Sequence, residues 1–320
     1  MESSTNLSKG KILVLGASGF IGKNLYEYLL NKGYDVVGQQ HSKINPDMVN
    51  CDLTDFELTK MLINGNDYIF MMAARTFGLG ILKETPEALV RESIVMNANV
   101  LQACYELGVK KVFMVSSSVV YQDEKFQCLE EDDLDLNIDP YHLYQGIGWV
   151  KRYTEQLARF YSGLGLNVIT VRPTGVYGKY DKMDEHKSHF IPAIIKKCLE
   201  ANGTLEVWGS GKNVKDFIYI DDFVEDAVKL FEEYDSWEPL NMCSGDLHSI
   251  RYIVDRIVEI VGFRGDVIYD LNKPETIAFK SISNERINTI VKRREYTQLN
   301  EGLSKTIGWM KNDLTRNPQC

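Results

Sequence analysis

Apolar residues fall into two rhythms along the first half of the chain. Short continuous runs, bounded by polar or glycine-rich segments, have the length and β-branched content of buried strands: Lys11–Leu15, Asp35–Val37, Tyr68–Met72, Lys111–Ser116 and Asn167–Arg172. Between them, apolar positions return every three or four residues, which predicts helices over Phe20–Lys32, Asp55–Ile63, Pro86–Leu107 and from about Gly146 to Leu164. Strands alternating with helices over short connections imply a parallel sheet covered on both faces, an α/β doubly wound architecture. After Arg172 the rhythm changes. Lys179–Lys187 is charged and turn-like, and Phe190–Glu200 reads as an amphipathic helix. Asp216–Ile220 reads as a strand returning to the sheet, with a helix from Asp221 whose first turn Asp221 and Asp222 cap. Ser249–Val261 and Gln298–Lys311 read as later helices around a mixed stretch, Phe263–Val291. The expected division is a first domain over 1–178, rejoined by 215–234, and a smaller α/β domain from 179–214 and 235–320.

The turn after the first strand carries chemistry. Gly16, Gly19 and Gly22 stand in G-x-x-G-x-x-G spacing between a strand and a helix. That context suits a dinucleotide: a tight turn at Gly16, backbone approach to a pyrophosphate at Gly19, and close helix–strand packing at Gly22. Ser18, Phe20 and Ile21 complete the loop, and the helix start offers free N–H groups to phosphate. An NAD site of this kind ends its second strand with an acid that holds the ribose 2′-hydroxyl. Here the segment continues through Gln39 and Gln40 to His41, Ser42 and Lys43 with no acid, which favours NADP over NAD. Asp52 and Leu53, after the next strand, are candidates for the adenine end, unless Asp52 or Thr54 caps the helix that follows. Ala73, Ala74 and Arg75 end the fourth strand, where small side chains let a cofactor lie against the backbone.

Charge narrows the partners. The 320 residues carry a formal net charge of −9, so an anionic ligand must be met by local donors. There is no basic block with interleaved aromatics for nucleic acid, and no apolar run of about eighteen residues for a membrane span. Met1–Gly10 is polar and reads as a frayed start. The 6 cysteines lack metal-ligand spacing and read as reduced structural thiols in a cytoplasmic protein, with no metal site expected.

Ser116, Ser117 and Ser118 lie at the C-terminal end of a strand, the edge where open α/β sheets bind ligands. Lys151 and Glu155 lie four residues apart on the long helix, and Arg172-Pro173 ends the next strand. With the glycine turn and Ala73-Ala74, these residues resemble the extended short-chain dehydrogenase/reductase family, the NAD-dependent epimerases and dehydratases of nucleotide sugars, from about Gly10 to Lys311. Ser188–Ala193, Val207–Gly211 leading to Lys215–Phe217, Leu240–Gly245 and Asn272–Pro274 are most similar to its GDP-L-fucose synthase branch. The resemblance implies a Rossmann-type doubly wound parallel sheet with a smaller α/β C-terminal substrate domain. It also implies NADP(H)-dependent reduction or epimerisation of a GDP-4-keto-6-deoxyhexose, and a homodimer formed through a four-helix bundle that includes the Lys151 helix. Two alternatives stay open: an NAD-dependent nucleotide-sugar epimerase or dehydratase, and a non-catalytic sugar-nucleotide-binding homologue.

Carried over from the family, Ser117 hydrogen-bonds the sugar carbonyl, and Lys151 holds the nicotinamide ribose and assists a tyrosine acid. That tyrosine belongs four residues before Lys151, where this chain has Ile147. Tyr144, seven residues before Lys151, is a candidate replacement. The branch's epimerising cysteine falls at Val119, while its histidine matches His189; Cys128 reads as a plain loop thiol. Pro173, Thr174 and Val176 fall at cofactor positions, and Ser118, Thr174, His189, Trp208 and Lys215 at substrate positions. Arg172 reads as structural or adjacent to the ribose, and Glu130–Asp135 as a solvated loop.

Overall fold

The computed structural model describes residues 5, 7–42, 45–74, 87–123, 127–183, 188–273, 275–293 and 295–316. Seven strands form the central sheet: β1 (Ile12–Leu15), β2 (Val36–Gln40), β3 (Met48–Asn50), β4 (Tyr68–Met71), β5 (Lys111–Val115), β7 (Val168–Pro173) and β11 (Leu240–Met242). Their spatial order is β3-β2-β1-β4-β5-β7-β11, and every pairing is parallel. Strand order reverses between β1 and β4, so the crevice for a ligand opens at the C-terminal ends of those two strands.

The continuous apolar runs follow from burial on both faces. Ile12 and Val14 join one core with Leu25 and Leu29 of α1 (Phe20–Asn31) and Phe223 and Phe231 of α6 (Ile220–Glu233). Leu13 and Leu15 join the opposite core with Ile63 of α2 (Phe56–Ile63), Val100 of α3 (Glu87–Glu106) and Ala158 of α4 (Gln145–Gly163). Alternate side chains of one strand therefore hold both helical layers in place.

A second, five-stranded sheet stands beside the first. In it β10 (Val214–Tyr219) pairs antiparallel with β12 (Leu247–Ser249) and parallel with both β8 (Gly175–Tyr177) and β14 (Phe279–Ile282). β14 in turn pairs with β6 (Cys128–Leu129). A separate parallel pair joins β9 (Thr204–Trp208) to β13 (Asp266–Asp270). Helices α5 (Phe190–Glu200), α7 (Ile250–Val261), α8 (Glu285–Val291) and α9 (Leu299–Arg316) complete this part.

Three expectations need correction. The strand around Asp216–Ile220 does not return to the central sheet; what rejoins it is α6, packed on α1, and β11 at the sheet's edge. The buried Asp216 carboxylate anchors β10 elsewhere, accepting hydrogen bonds from Ser244 N (3.0 Å), Gly245 N (2.6 Å) and Thr174 Oγ1 (3.1 Å). Asp221 and Asp222 do not cap α6, whose N-cap is Tyr219; Asp222 instead pairs with Arg293 (3.0 Å) and accepts from Thr297 N (2.8 Å). The acidic run at Glu130–Asp135 is not wholly solvated, because Glu131 is buried and accepts from Asn241 N at 2.8 Å.

Candidate active site

At the crevice, backbone meets backbone. A Cβ on Gly16, whose φ is +77°, would sit 2.6 Å from the Ala73 backbone, and one on Gly22 would sit 2.1 Å from Gly16 O. The N-cap of α1 is Gly19, which supplies no side-chain acceptor, so the first-turn N–H groups gain no side-chain partner from their cap. This cradle, which any Cβ would fill, fits a pyrophosphate. Phe20 and Ile21 turn their side chains onto the core, leaving backbone as the loop's ligand surface. Gln39 is buried beneath the loop, accepting from Gly16 N (2.8 Å) and donating to Cys51 O (2.7 Å), so it props the turn. His41 and Ser42 emerge beyond β2 as exposed residues, whereas Lys43 and Arg75 lie outside the described residues. Asp52 folds into its own turn, accepting from Thr54 N and Oγ1, while Asp55 caps α2 and Leu53 is core.

The serine run divides its labour. Ser116 Oγ donates to Glu155 (2.6 Å), and Glu155 is held by Arg172 through Nε (3.0 Å) and Nη2 (2.8 Å). Arg172 Nη1 also donates to Tyr121 Oη (2.8 Å), whose own proton goes to Asn241 Oδ1 (2.7 Å). Ser117 caps a short turn over Ser118–Val120, against which α4 packs: a Cβ on Gly148 would lie 2.9 Å from Val119 O. One helical turn further on, Lys151 Nζ donates to Val115 O at 2.7 Å, and burial brings its pKa down to about 8 against the pull of Glu155. Arg172 is thus structural.

A cavity joins this turn to the second sheet, lined by Ser118, Val119, Tyr141, Tyr144 and Lys280. Lys215 and Lys280 are direct partners across the β10–β14 ladder. Burial lowers the Lys215 pKa to about 8; burial and the Lys215 charge bring Lys280 to about 7. Lys215 Nζ donates to Thr276 Oγ1, and Lys280 Nζ stands 5.3 Å from the centre of the Tyr144 ring. Tyr144 also bonds Thr276, and burial pushes its pKa up to about 12. Two ammonium groups in adjacent register, poorly hydrated, make a site for an anion of more than one charge. Trp208, at the end of β9, has Lys197 and Lys273 over its ring at 5.4 and 5.2 Å.

Residues 12–243 match the model of the NAD dependent epimerase/dehydratase family. The chain belongs to that family. It is 30% identical to the GDP-L-fucose synthase of Sinorhizobium fredii over 92% of this chain and 94% of that protein. It is 27% identical to GDP-L-fucose synthase 1 of Arabidopsis thaliana over 98% and 97% of the two chains. In fold it is similar to a GDP-L-fucose synthetase from Naegleria fowleri, with a TM-score of 0.85, 24% identity, and coverage of 97% and 96%.

For a member of the epimerase/dehydratase family, the site brings together Ser118, Val119 and Tyr144 with Lys215, and adds Lys280 and Thr276, which the sequence reading did not single out. The signal for Lys280 was present: a lone lysine inside the strand-like run Phe279–Ile282. Ile147 lies half-buried in the first turns of α4 and offers hydrocarbon only. Tyr144 is directed to Thr276 and Lys280, while the Lys151 amine is held by Val115 O. Gln127 and Leu129 line the cavity, whereas Cys128 between them is exposed and faces the other way along the strand. The Thr174 hydroxyl is directed to Asp216, Pro173 is buried in β7, and Val176 sits half-buried in β8. His189, at the start of α5, places Nδ1 3.0 and 3.1 Å from the two oxygens of Asp181.

Proposed function

We propose that this chain is an NADP(H)-dependent oxidoreductase/epimerase of a GDP-4-keto-6-deoxyhexose, working as a homodimer, with Ile147 where the family's tyrosine acid belongs. The observation that carries the reading is the cavity between the two sheets. The serine turn at the edge of the central sheet and Lys280 line one space, with Lys215 beside Lys280 in the β10–β14 ladder, as a sugar joined to a diphosphate requires. In this reading Gly16, Gly19 and Gly22 hold the cofactor pyrophosphate, and His41 and Ser42 lie near the 2′-phosphate. The bound nicotinamide supplies a hydride. Lys151 holds the ribose hydroxyls next to it, and Ser117 donates to the sugar's carbonyl oxygen. Lys215 and Lys280 neutralise the diphosphate, and Trp208 packs on the base. The proton that a tyrosine would deliver has no donor at Ile147. Val119 supplies no thiolate for stereoinversion, so His189 is the remaining acid–base group.

The test is NADPH oxidation with GDP-4-keto-6-deoxymannose, comparing the natural chain with Ile147→Tyr. Restoring a positioned acid is expected to raise kcat by about 10²–10⁴-fold. Measurable oxidation by the natural chain, equal to that of the variant, would mean that another group delivers the proton, with Tyr144→Phe as the next variant. Ile147 also favours a second reading, a sugar-nucleotide-binding homologue without turnover. Tight GDP-sugar binding with no oxidation by either protein would select it.

A further inference from the structure

The backbone departs from ordinary geometry at Tyr180, whose φ of 70° puts a bulky aromatic residue in the left-handed region. Contacts from two helices hold it there. The Tyr180 hydroxyl donates to Glu27 (2.9 Å), Lys23 Nζ lies 3.8 Å from its ring centre, and Trp309 meets it edge-on at 5.3 Å. Asn24 Nδ2 donates to Lys179 O (3.0 Å), fixing the preceding peptide to the same helix, α1. The consequence falls on the next residue: the Asp181 side chain is only 2% exposed and meets His189. A hydrogen bond from Ser188 Oγ to Lys182 O (2.7 Å) ties the two ends of this segment together. His189 is free to take that contact because, although it is the N-cap residue of α5, its ring makes no capping hydrogen bond.

We propose that Asp181 is the positioning residue for His189: its buried carboxylate accepts a hydrogen bond from Nδ1–H and thereby presents Nε2 to the substrate. The partner of one ring nitrogen decides what the other carries. With Nδ1–H committed to Asp181, Nε2 is a bare acceptor when the ring is neutral and an N–H donor when it is charged. Among the described residues the charges acting on the ring are Asp181 and Lys182. Burial presses the His189 pKa down, but the Asp181 hydrogen bond and charge together outweigh it and raise the pKa. The assignment rests on the proposed function for its use of His189, although the contact itself does not.

The experiment is long-range proton–nitrogen NMR on the full chain with ¹⁵N-labelled histidine, with His189 assigned by loss of its signals in His189→Gln. In the natural protein above the His189 pKa, the Nδ1–H tautomer is expected. Asp181→Ala is expected to shift the ring to Nε2–H, and Asp181→Asn to lower its pKa by about one pH unit. An Nε2–H tautomer in the natural protein, or an unchanged tautomer in Asp181→Ala, overturns the proposal. Should either variant fail to fold, the spectrum of the natural protein still decides. This readout needs no turnover, so it is independent of the outcome of the reductase assay.

Discussion

Lys215 and Lys280 have depressed pKa values because burial strips water from two like charges set in register, and an anion between them reverses that. In the free protein Lys280 titrates at about 7 and Lys215 at about 8. A bound diphosphate favours both charged forms and raises both values. Affinity for GDP therefore weakens as pH rises through about 7 and 8, because binding must then recruit protons. Calorimetry at about pH 8 in buffers of different ionisation enthalpy is expected to show proton uptake; proton release would count against the anion site. Lys280→Met is expected to weaken GDP binding by about 10–100-fold, the loss of one charged hydrogen bond. The effect on kcat should be smaller than that on KM, since the diphosphate does not react.

At the scale of elements, the Glu155–Arg172 pair joins α4 to β7, and Ser116 brings in the end of β5. Both charges are almost fully buried, at 2% and 4% side-chain exposure. Removing one leaves the other uncompensated, so Glu155→Gln is expected to destabilise the fold by about 3–5 kcal/mol, read by urea unfolding. A variant as stable as the natural protein would show the pair to be dispensable. The same segment orients Lys151, one turn before Glu155. The glycine turn gives a sharper case. Gly22→Ala places a Cβ 2.1 Å from Gly16 O, so loss of NADPH binding by fluorescence titration is expected before loss of fold. Retained binding would mean that the turn can open without harm.

At the scale of the molecule, α3 and α4 pack along each other, and α4 leaves Trp149, Tyr153 and Phe160 at 40%, 49% and 59% exposure. For the proposed homodimer these exposed aromatics on one helix are the expected contact face. Phe160→Glu is expected to halve the mass measured by sedimentation, and an unchanged mass would exclude this face from the interface.

The sequence was most legible where local pattern and burial agree. Five of the seven strands of the central sheet, α1 to α4 and the glycine turn follow from apolar runs, 3.6-residue spacing and residues with a single steric reason to be present; the three-residue edge strands β3 and β11 are too short to show as apolar runs. Ser117, Lys151 and the missing tyrosine at Ile147 were legible only through the resemblance to the family, whose motif positions they occupy. Tertiary structure decided the rest. Val214–Tyr219 has the pattern of a strand, but only the partners of Asp216 choose its sheet. In sequence Glu131 reads as solvated and Asp222 as a helix cap, yet each is buried against a partner about seventy or more residues away, Asn241 and Arg293. Lys280 meets Lys215 through a strand ladder, and Asp181 meets His189 across a strained turn held in place by α1 and α9, distant in the chain. Periodicity encodes which face of an element is buried; it does not encode what that face will touch.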